Sequence, residues 1–357
     1  MKYLIIMTAF IQCVFAMPTM THSQKEDLPE IKKMILKDFE ALNLSFDSSH
    51  IYLDRTKSTS GYPKLTMKIK QDDQVILEES FVYRSKMRAW AAHACADRII
   101  GHFNQVSPGF TRRLAFIDPD HPTIIMQTDV FFNTPMVLFE APVPIIALGW
   151  SNQASLIAFV LKYNDHYELR SFNQKTKENS LIFKSKQPLG HPTWSMNRQT
   201  LFFTQVHHGD SKLMAWSKNR TKSISFGNSL DLMPTMTTSG LIYVSLKEGQ
   251  SYIMRRNPDG LIKTLYVSND LILEPQQMGQ SLFFMTKHDK TSVLNRLDLT
   301  SQQLETLKDF DDAQAFTMTF LGPLVASKKT ISLFNEHGEL QWKKDMAVNW
   351  LSMMGSQ

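Results

Sequence analysis

One short stretch of the sequence combines residue types that could do chemistry. Gly209-Asp210-Ser211 offers a serine hydroxyl beside a carboxylate directly after His207-His208, so a serine nucleophile or a metal site are the chemistries to consider. The strained Gly-x-Ser-x-Gly turn that exposes a nucleophilic serine is absent from the sequence. No fourth ligand is indicated for a metal held by His207, His208 and Asp210. A solvated hairpin turn is therefore the better interpretation.

Other chemically interesting residues are also better explained without catalysis. Asp311-Asp312 are adjacent, so on a strand they point to opposite sides and cannot share acid–base work. Arg255-Arg256 is a basic pair of the kind that usually stays solvated, and no glycine-rich phosphate loop occurs. Cys95 lies in an apolar helical pattern, which favours a buried and inert thiol. We predict no catalytic, cofactor-binding or metal-binding residue, and we expect that the protein is not an enzyme.

A repeat is the strongest pattern in the chain. The stretch Pro192–Phe203 is typical of a short strand ending in Trp-Ser, then a polar turn, then a second strand that begins Leu-Phe-Phe. The same combination recurs at roughly 40–45-residue steps, which predicts a β-propeller with four short strands per blade. A β-sandwich or an irregular β-domain is the alternative. The five positions equivalent to the tryptophan of Trp-Ser are Trp150, Trp194, Met236, Gln277 and Met318.

The two ends of this repeat complement each other. Val348–Ser352 has the pattern of a first strand without a second, and Arg113–Ile117 has the pattern of a second strand without a first. Pairing the two would complete one blade and remove the exposed sheet edges of an open array. The pattern therefore predicts a six-bladed propeller over 112–353, closed by the carboxy-terminal strand and the 113–117 strand.

The residues before the repeat predict a small α/β domain over 17–106. Asp27 can cap a helix whose apolar face includes Ile31, Ile35 and Phe39. Strands are predicted at 65–70 and 75–83, and a second helix at 85–103 in which Asp97 and Arg98 are expected to face away from the core. The predicted fold class is an α+β amino-terminal domain followed by an all-β six-bladed propeller.

Residues 1–16 have the features of a cleavable secretory signal peptide. Lys2 provides the charged start, Tyr3–Phe15 the apolar run, and Val14-Phe15-Ala16 the cleavage site. The run is too short to span a bilayer. A lipid anchor on Cys13 is disfavoured because Gln12 precedes it. Cleavage would leave Cys95 as the one cysteine, without an internal disulfide, and this fits a Gram-negative periplasm. The net charge of +5 is small and not clustered, which disfavours nucleic-acid binding.

The junction between the two predicted domains resembles the TolB family. Met87–Ile100 is similar to that family's helix pattern Leu-Arg-x-x-Ala-His-x-x-Ala-Asp-x-Ile-Tyr, and Pro108–Phe116 to its Gly-Ala-Phe-x-Thr-Arg-Ile-Ala-Tyr. Residues 192–203 resemble the blade motif Pro-x-Trp-Ser-Pro-Asp-Gly-x-x-Leu-Ala-Phe, although the Pro-Asp-Gly turn is never intact. The resemblance covers most of the chain from Leu65 to Trp350. It indicates a divergent member with a shortened amino-terminal domain.

The resemblance implies a non-enzymatic protein of the Tol-Pal envelope system. The propeller mouth would dock the peptidoglycan-associated lipoprotein Pal, and the mature amino terminus would reach TolA. The protein would then support envelope integrity and cell division as a periplasmic monomer, without a cofactor, a nucleic-acid partner or a membrane span. Two alternatives remain open. One is a propeller hydrolase or lyase acting on periplasmic glycans or peptides, and the other is a TolB paralogue with another envelope partner.

The predicted docking surface lies where the chain leads into three consecutive first strands. Several of these residues are apolar on a rim that would face water, which is typical of protein docking rather than of an enzyme pocket. Inward packing of the same side chains between blades is the alternative. The predicted contact residues are Leu189, Gly190, His191, Leu232, Met233, Leu273 and Glu274.

Overall fold

The computed structural model describes most of the chain. The described residues are 28–42, 51–71, 74–84, 87–104, 109–133, 135–151, 155–207, 209–311 and 313–353. The predicted signal peptide and the predicted helix cap at Asp27 lie outside these residues. The chain divides into two compact units, the first made of 1–112 with 129–134 and the second of 113–128 with 135–357.

The first unit contains two helices and one antiparallel sheet. Its elements are α1 (Leu28–Ala41), β1 (Ile51–Lys57), β2 (Pro63–Gln71), β3 (Gln74–Val82) and α2 (Arg88–Asn104). Strand β2 lies between β1 and β3. Both helices and the strands β2 and β3 lie at or close to the positions that the apolar spacing predicts, whereas the strand β1 is not predicted.

The first unit is built on two simple periodicities. Ile31, Ile35 and Phe39 of α1 are buried, as expected for residues four apart on one helix face. In β2, Leu65, Met67 and Ile69 are buried while Thr66 and Lys68 between them are partly exposed, so the sheet buries one face. The helices pack with each other and contact the sheet through β1 and β3.

Asp97 of α2 is buried, so the expectation that it faces away from the core is wrong. Its Oδ1 accepts hydrogen bonds from the backbone N–H groups of Gly109 (2.8 Å) and Phe110 (2.7 Å). Its Oδ2 accepts from the N–H (2.9 Å) and the hydroxyl (2.8 Å) of Thr111. Gly109 has φ +93°, a backbone conformation in which a residue with a side chain would be strained. A Cβ there would also meet the Arg112 side chain. Asp97 therefore organises the turn that follows α2.

Replacing Asp97 should strongly destabilise this turn. We expect Asp97→Ala to lower the free energy of unfolding by about 3–5 kcal/mol, because four donors lose their acceptor in a buried place. Thermal unfolding and hydrogen exchange at the 109–111 amides measure the effect. Asp259→Ala is the matched control, because Asp259 accepts the Leu261 N–H in an exposed turn. Equal melting temperatures for the two variants would contradict the role of Asp97.

The second unit consists of strands. The first eleven, in chain order, are β4 (Leu114–Ile117), β5 (Ile124–Thr128), β6 (Met136–Glu140), β7 (Ile145–Trp150), β8 (Leu156–Lys162), β9 (Tyr167–Asn173), β10 (Asn179–Ser185), β11 (Leu189–Trp194), β12 (Leu201–His207), β13 (Asp210–Ser217) and β14 (Arg220–Ser223). The others are β15 (Leu230–Thr237), β16 (Gly240–Lys247), β17 (Gln250–Arg256), β18 (Ile262–Ser268), β19 (Leu271–Met278), β20 (Ser281–His288), β21 (Thr291–Asp298), β22 (Leu304–Phe310), β23 (Ala313–Thr319), β24 (Gly322–Ser327), β25 (Thr330–Phe334), β26 (Leu340–Asp345) and β27 (Asn349–Met353).

Consecutive strands pair antiparallel in groups of four. The groups start at β7, β11, β15, β19 and β23, and β27 pairs with β4 to form the order β27-β4-β5-β6. In that last sheet Leu351 lies opposite Phe116. One parallel bridge, between Ser211 and Leu230, also joins β13 to β15. This succession of short antiparallel sheets is consistent with a β-propeller.

The core of the second unit lies between neighbouring sheets. One cluster joins Ile125 of β5 to Phe159 of β8, and another joins Phe283 of β20 to Phe316 of β23. The second strand of each sheet is consequently covered on both faces. This double burial explains why these strands are continuous apolar runs instead of alternating ones.

Candidate functional site

The first strands of the six groups, which we call the inner strands, are β7, β11, β15, β19, β23 and β27. Each inner strand lies beside the one before it and the one after it, and β27 lies beside both β23 and β7. We call the end at which the inner strands begin the mouth end. Because strands alternate in direction, the turn between the second and third strand of each sheet lies at the same end.

The five repeat positions occupy equivalent places in the structure. Each lies near the end of an inner strand, and its partner is the first or second residue of the next strand. The pairs are Trp150 with Ile157, Trp194 with Leu201, Met236 with Leu241, Gln277 with Leu282, and Met318 with Pro323. The repeat therefore corresponds to one inner hairpin per sheet.

Three neighbouring inner strands share an irregularity near the mouth end. The pairing register shifts around His191, Met233 and Glu274, and each of these residues has a positive φ of 46°, 53° or 47°. A proline follows each of them, and proline has no N–H to donate to the ladder. Such bulges re-aim side chains. Non-glycine residues with positive φ persist only where the surroundings hold them.

The predicted docking residues lie within the inner strands and not in the loops before them. Leu189 is 4% exposed and belongs to a core cluster between two sheets, so it cannot contact a partner. Met233 and Leu273 are partly buried against other core clusters. For these three side chains, packing between sheets is the better interpretation.

Glu274 is the most unusual side chain of this region. Its Oε2 accepts the backbone N–H of Phe316 at 3.0 Å, and its own N–H points to the Met233 sulfur at 3.2 Å. Burial raises the pKa of Glu274 to about 7, although the hydrogen bond from Phe316 opposes the rise. The Glu274 carboxyl group therefore changes between its neutral and its charged form near neutral pH.

Gln276 continues the same connection between β19 and β23. Its Oε1 accepts the Met318 N–H at 2.8 Å, and its Nε2 donates to the Phe316 carbonyl at 3.4 Å. Glu274 and Gln276 together make hydrogen bonds to three backbone groups of β23. The two side chains thus connect adjacent inner strands and have a structural role.

The other chemical candidates are also parts of the framework. Ser211 is fully buried, and its hydroxyl donates to the Asp231 carbonyl at 3.0 Å, so it is not an accessible nucleophile. His207 and Asp210 face each other across the turn between β12 and β13, and His208 lies outside the described residues. Burial lowers the pKa of His191 to about 4, so this imidazole is neutral at neutral pH.

Phe226 is an exposed aromatic residue that belongs neither to the sequence repeat nor to the predicted docking residues. It lies in the segment between β14 and β15 and is 78% exposed. Because that segment leads into an inner strand, Phe226 belongs to the mouth end, as does Leu271, which is 39% exposed at the start of β19. An aromatic residue inside the polar run Ser225-Phe226-Gly227-Asn228-Ser229 is the signal that could have revealed it.

Solved structures share this fold. TolB from Acinetobacter baumannii matches with a TM-score of 0.75 at 14% identity, over 95% of this chain and 96% of that chain. A chain of the nidogen/laminin complex matches with a TM-score of 0.56 at 12% identity, over 69% of this chain and 99% of that chain. No protein-family model and no curated protein matches the sequence. The chain therefore has a TolB-like propeller fold.

The described residues contain neither a metal-ion cluster nor a membrane-spanning helix. Within these residues, no group of three or more His, Cys, Asp or Glu side chains is arranged to hold a metal ion. Among the helices described, none has the length and apolar character needed to cross a membrane.

Proposed function

We propose that this chain is a six-bladed, TolB-like protein of the periplasm that binds other envelope proteins and catalyses no reaction. The observation that supports it best is the extent of the likeness to TolB, which covers 95% of this chain and therefore takes in both compact units. The junction motif of α2 adds to this support. Its aspartate, Asp97, orders the turn after the helix through four hydrogen bonds.

In this proposal Pal docks at the mouth end of the propeller. Phe226 and Leu271 present exposed apolar surface there, and Leu232 is partly exposed on the inner strand between them. Aromatic side chains at the centre of a contact typically contribute most of its binding free energy. The amino-terminal residues before α1 reach TolA, and the two contacts together support envelope integrity and division.

Binding of purified Pal to the purified protein tests the proposal. We expect Phe226→Asp to weaken binding at least tenfold, because a carboxylate would be buried without a partner in the interface. Because Phe226 is exposed, the melting temperature should stay unchanged. Leu340→Asp is the matched control: Leu340 is 54% exposed at the start of β26, which lies at the opposite end of its sheet.

The outcomes separate the function from the site. Absence of binding between the folded unmodified protein and both Pal and TolA would overturn the proposed function. If Phe226→Asp still binds Pal, Pal remains the partner, but the contact does not include Phe226. Equal weakening by Leu340→Asp would mean that the effect is not local.

A further inference from the structure

Three ionisable side chains meet inside the first unit. Asp38 belongs to α1, His93 to α2, and Asp129 to the segment 129–133 that follows β5. His93 Nδ1 lies 2.7 Å from Asp38 Oδ2, and His93 Nε2 lies 3.7 Å from Asp129 Oδ2. Asp38 is 0% and His93 1% exposed. Charged groups removed from water in this way are costly unless they are paired.

The pairing within this cluster is incomplete. In the described part of the chain, Asp38 Oδ1, His93 Nε2 and Asp129 Oδ2 are buried without a hydrogen-bond partner. Two carboxylates also share one imidazole, so the cluster has a net negative charge even when His93 is protonated. Its stability therefore depends on the proton of His93.

The segment that contains Asp129 is buried and strained. Val130, Phe131 and Phe132 are at most 2% exposed, and Phe132 has a φ of 52°. A bulky residue in this conformation is kept there only by its surroundings. Asp129 Oδ1 accepts the Phe131 N–H at 2.9 Å and the Asn133 N–H at 3.2 Å, which leaves Oδ2 directed at His93. The segment thus combines stored strain, buried apolar packing and an ionic attachment to α2.

We propose that Asp38, His93 and Asp129 form a proton-dependent latch that holds segment 129–133 against α2 while His93 is protonated and releases it when that proton is lost. An imidazolium has two N–H donors, one for each carboxylate. A neutral imidazole has one N–H, so it can serve only one of the two acceptors. The strained segment then loses its ionic restraint.

The electrostatic surroundings agree with this geometry. Burial alone would lower the pKa of His93, but its contacts with Asp129 and Asp38 raise it to about 10. Burial works to raise the pKa of Asp129, but contacts with His93 and the backbone N–H groups outweigh this and lower it. Burial raises the pKa of Asp38 to about 6 against the opposing effect of His93.

Other charged groups surround the latch. Asp97 of α2 acts on Asp38 from one side, and Arg112 lies near Asp97. On α1, the Lys37 ammonium lies 4.5 Å from the centre of the Phe131 ring. None of these groups replaces the second N–H of His93, because Asp129 Oδ2, the oxygen that faces His93, has no hydrogen-bond partner in the described residues.

The direction of the pH dependence follows from the raised pKa. A histidine whose pKa rises on folding contributes stability that is complete below its unfolded value of about 6.5 and is lost as the pH rises through its folded value. The latch is therefore closed at neutral pH and opens on the alkaline side, toward a pH of about 10.

Hydrogen exchange of the full chain tests the latch. We expect the protection of the 130–132 amides, corrected for the intrinsic effect of pH, to fall at least tenfold between pH of about 7 and about 10. In Asp129→Asn, protection should already be low at neutral pH and should vary little with pH, because the amide has no charge. Asp270→Asn is the matched control, since it removes the carboxylate from the exposed pair that Asp270 makes with His288 at 2.8 Å. It should behave like the unmodified protein.

A second measurement keeps the test decisive. The His93 imidazole resonance should titrate well above those of exposed histidines in the unmodified protein, whether or not Asp129→Asn folds. Titration of His93 at about 6.5 would overturn the proposal. So would protection of 130–132 that is the same at both pH values.

Discussion

We expect a chain that ends at Asp345 to lose the cooperative unfolding of its second unit. This truncation removes β27, and with it the pairing of Leu351 with Phe116. All four residues of β4 are buried, so its open edge would expose apolar surface and unpaired backbone groups. The buried side chain of Val348 would be lost as well. The destabilisation should exceed the ~0.5–3 kcal/mol of ordinary point changes.

Thermal unfolding followed by circular dichroism measures this effect. A chain that ends at Met353 is the matched control, because it keeps all of β27. The control should melt like the full chain, while the shorter chain should lack a sharp transition and aggregate. A chain ending at Asp345 that melts at the temperature of the full chain would mean that β27 does not stabilise the unit.

The variant Gly149→Ala, which adds one methyl group, should strongly destabilise the second unit. A Cβ on Gly149 of β7 would lie 1.8 Å from the carbonyl oxygen of Pro192 on β11. The obstacle is backbone, so two inner strands would have to move apart. We expect a loss of about 3 kcal/mol or more in the free energy of unfolding, and a melting temperature lower by roughly 6–12 °C.

The next inner strand offers a matched control for this substitution. Gly190 of β11 has no atom within 4 Å of a Cβ built on it, and its φ is outside the positive range. Gly190→Ala should therefore change stability by less than ~0.5 kcal/mol. Similar melting temperatures for the two alanine variants would show that the inner strands are not closely packed at Gly149.

The inner hairpins could be predicted from the sequence because their environment is repeated. Trp194 and Met236 differ chemically, yet each lies opposite a leucine that is the first or second residue of the next strand, Leu201 or Leu241. The second strands of these hairpins are covered on both faces, so each is a run of apolar residues. These runs recur at a nearly constant spacing along the sequence. Strand β1 is not predicted because its three apolar residues, Ile51–Leu53, are consecutive and are followed by four polar residues, so it shows no alternation.

The irregular features could not be predicted in the same way. The sequence predicts the docking residues in loops, but the strands continue through the bulges, and Leu189 is buried between sheets. The latch joins residues far apart in sequence, which local spacing cannot reveal. One signal was present: Asp38 lies three residues after Ile35, on the helix face that is otherwise apolar.

The pairing of β27 with β4 also affects the order in which the protein can fold. During synthesis, β4 emerges early and must wait for residues 349–353, while every other sheet can form from neighbouring segments. Contacts between such distant segments form slowly, because a long loop has to close first. Until then, the apolar residues of β4 have an open edge to which another chain could pair. A chaperone that protects this protein should therefore be needed most between the emergence of β4 and that of β27.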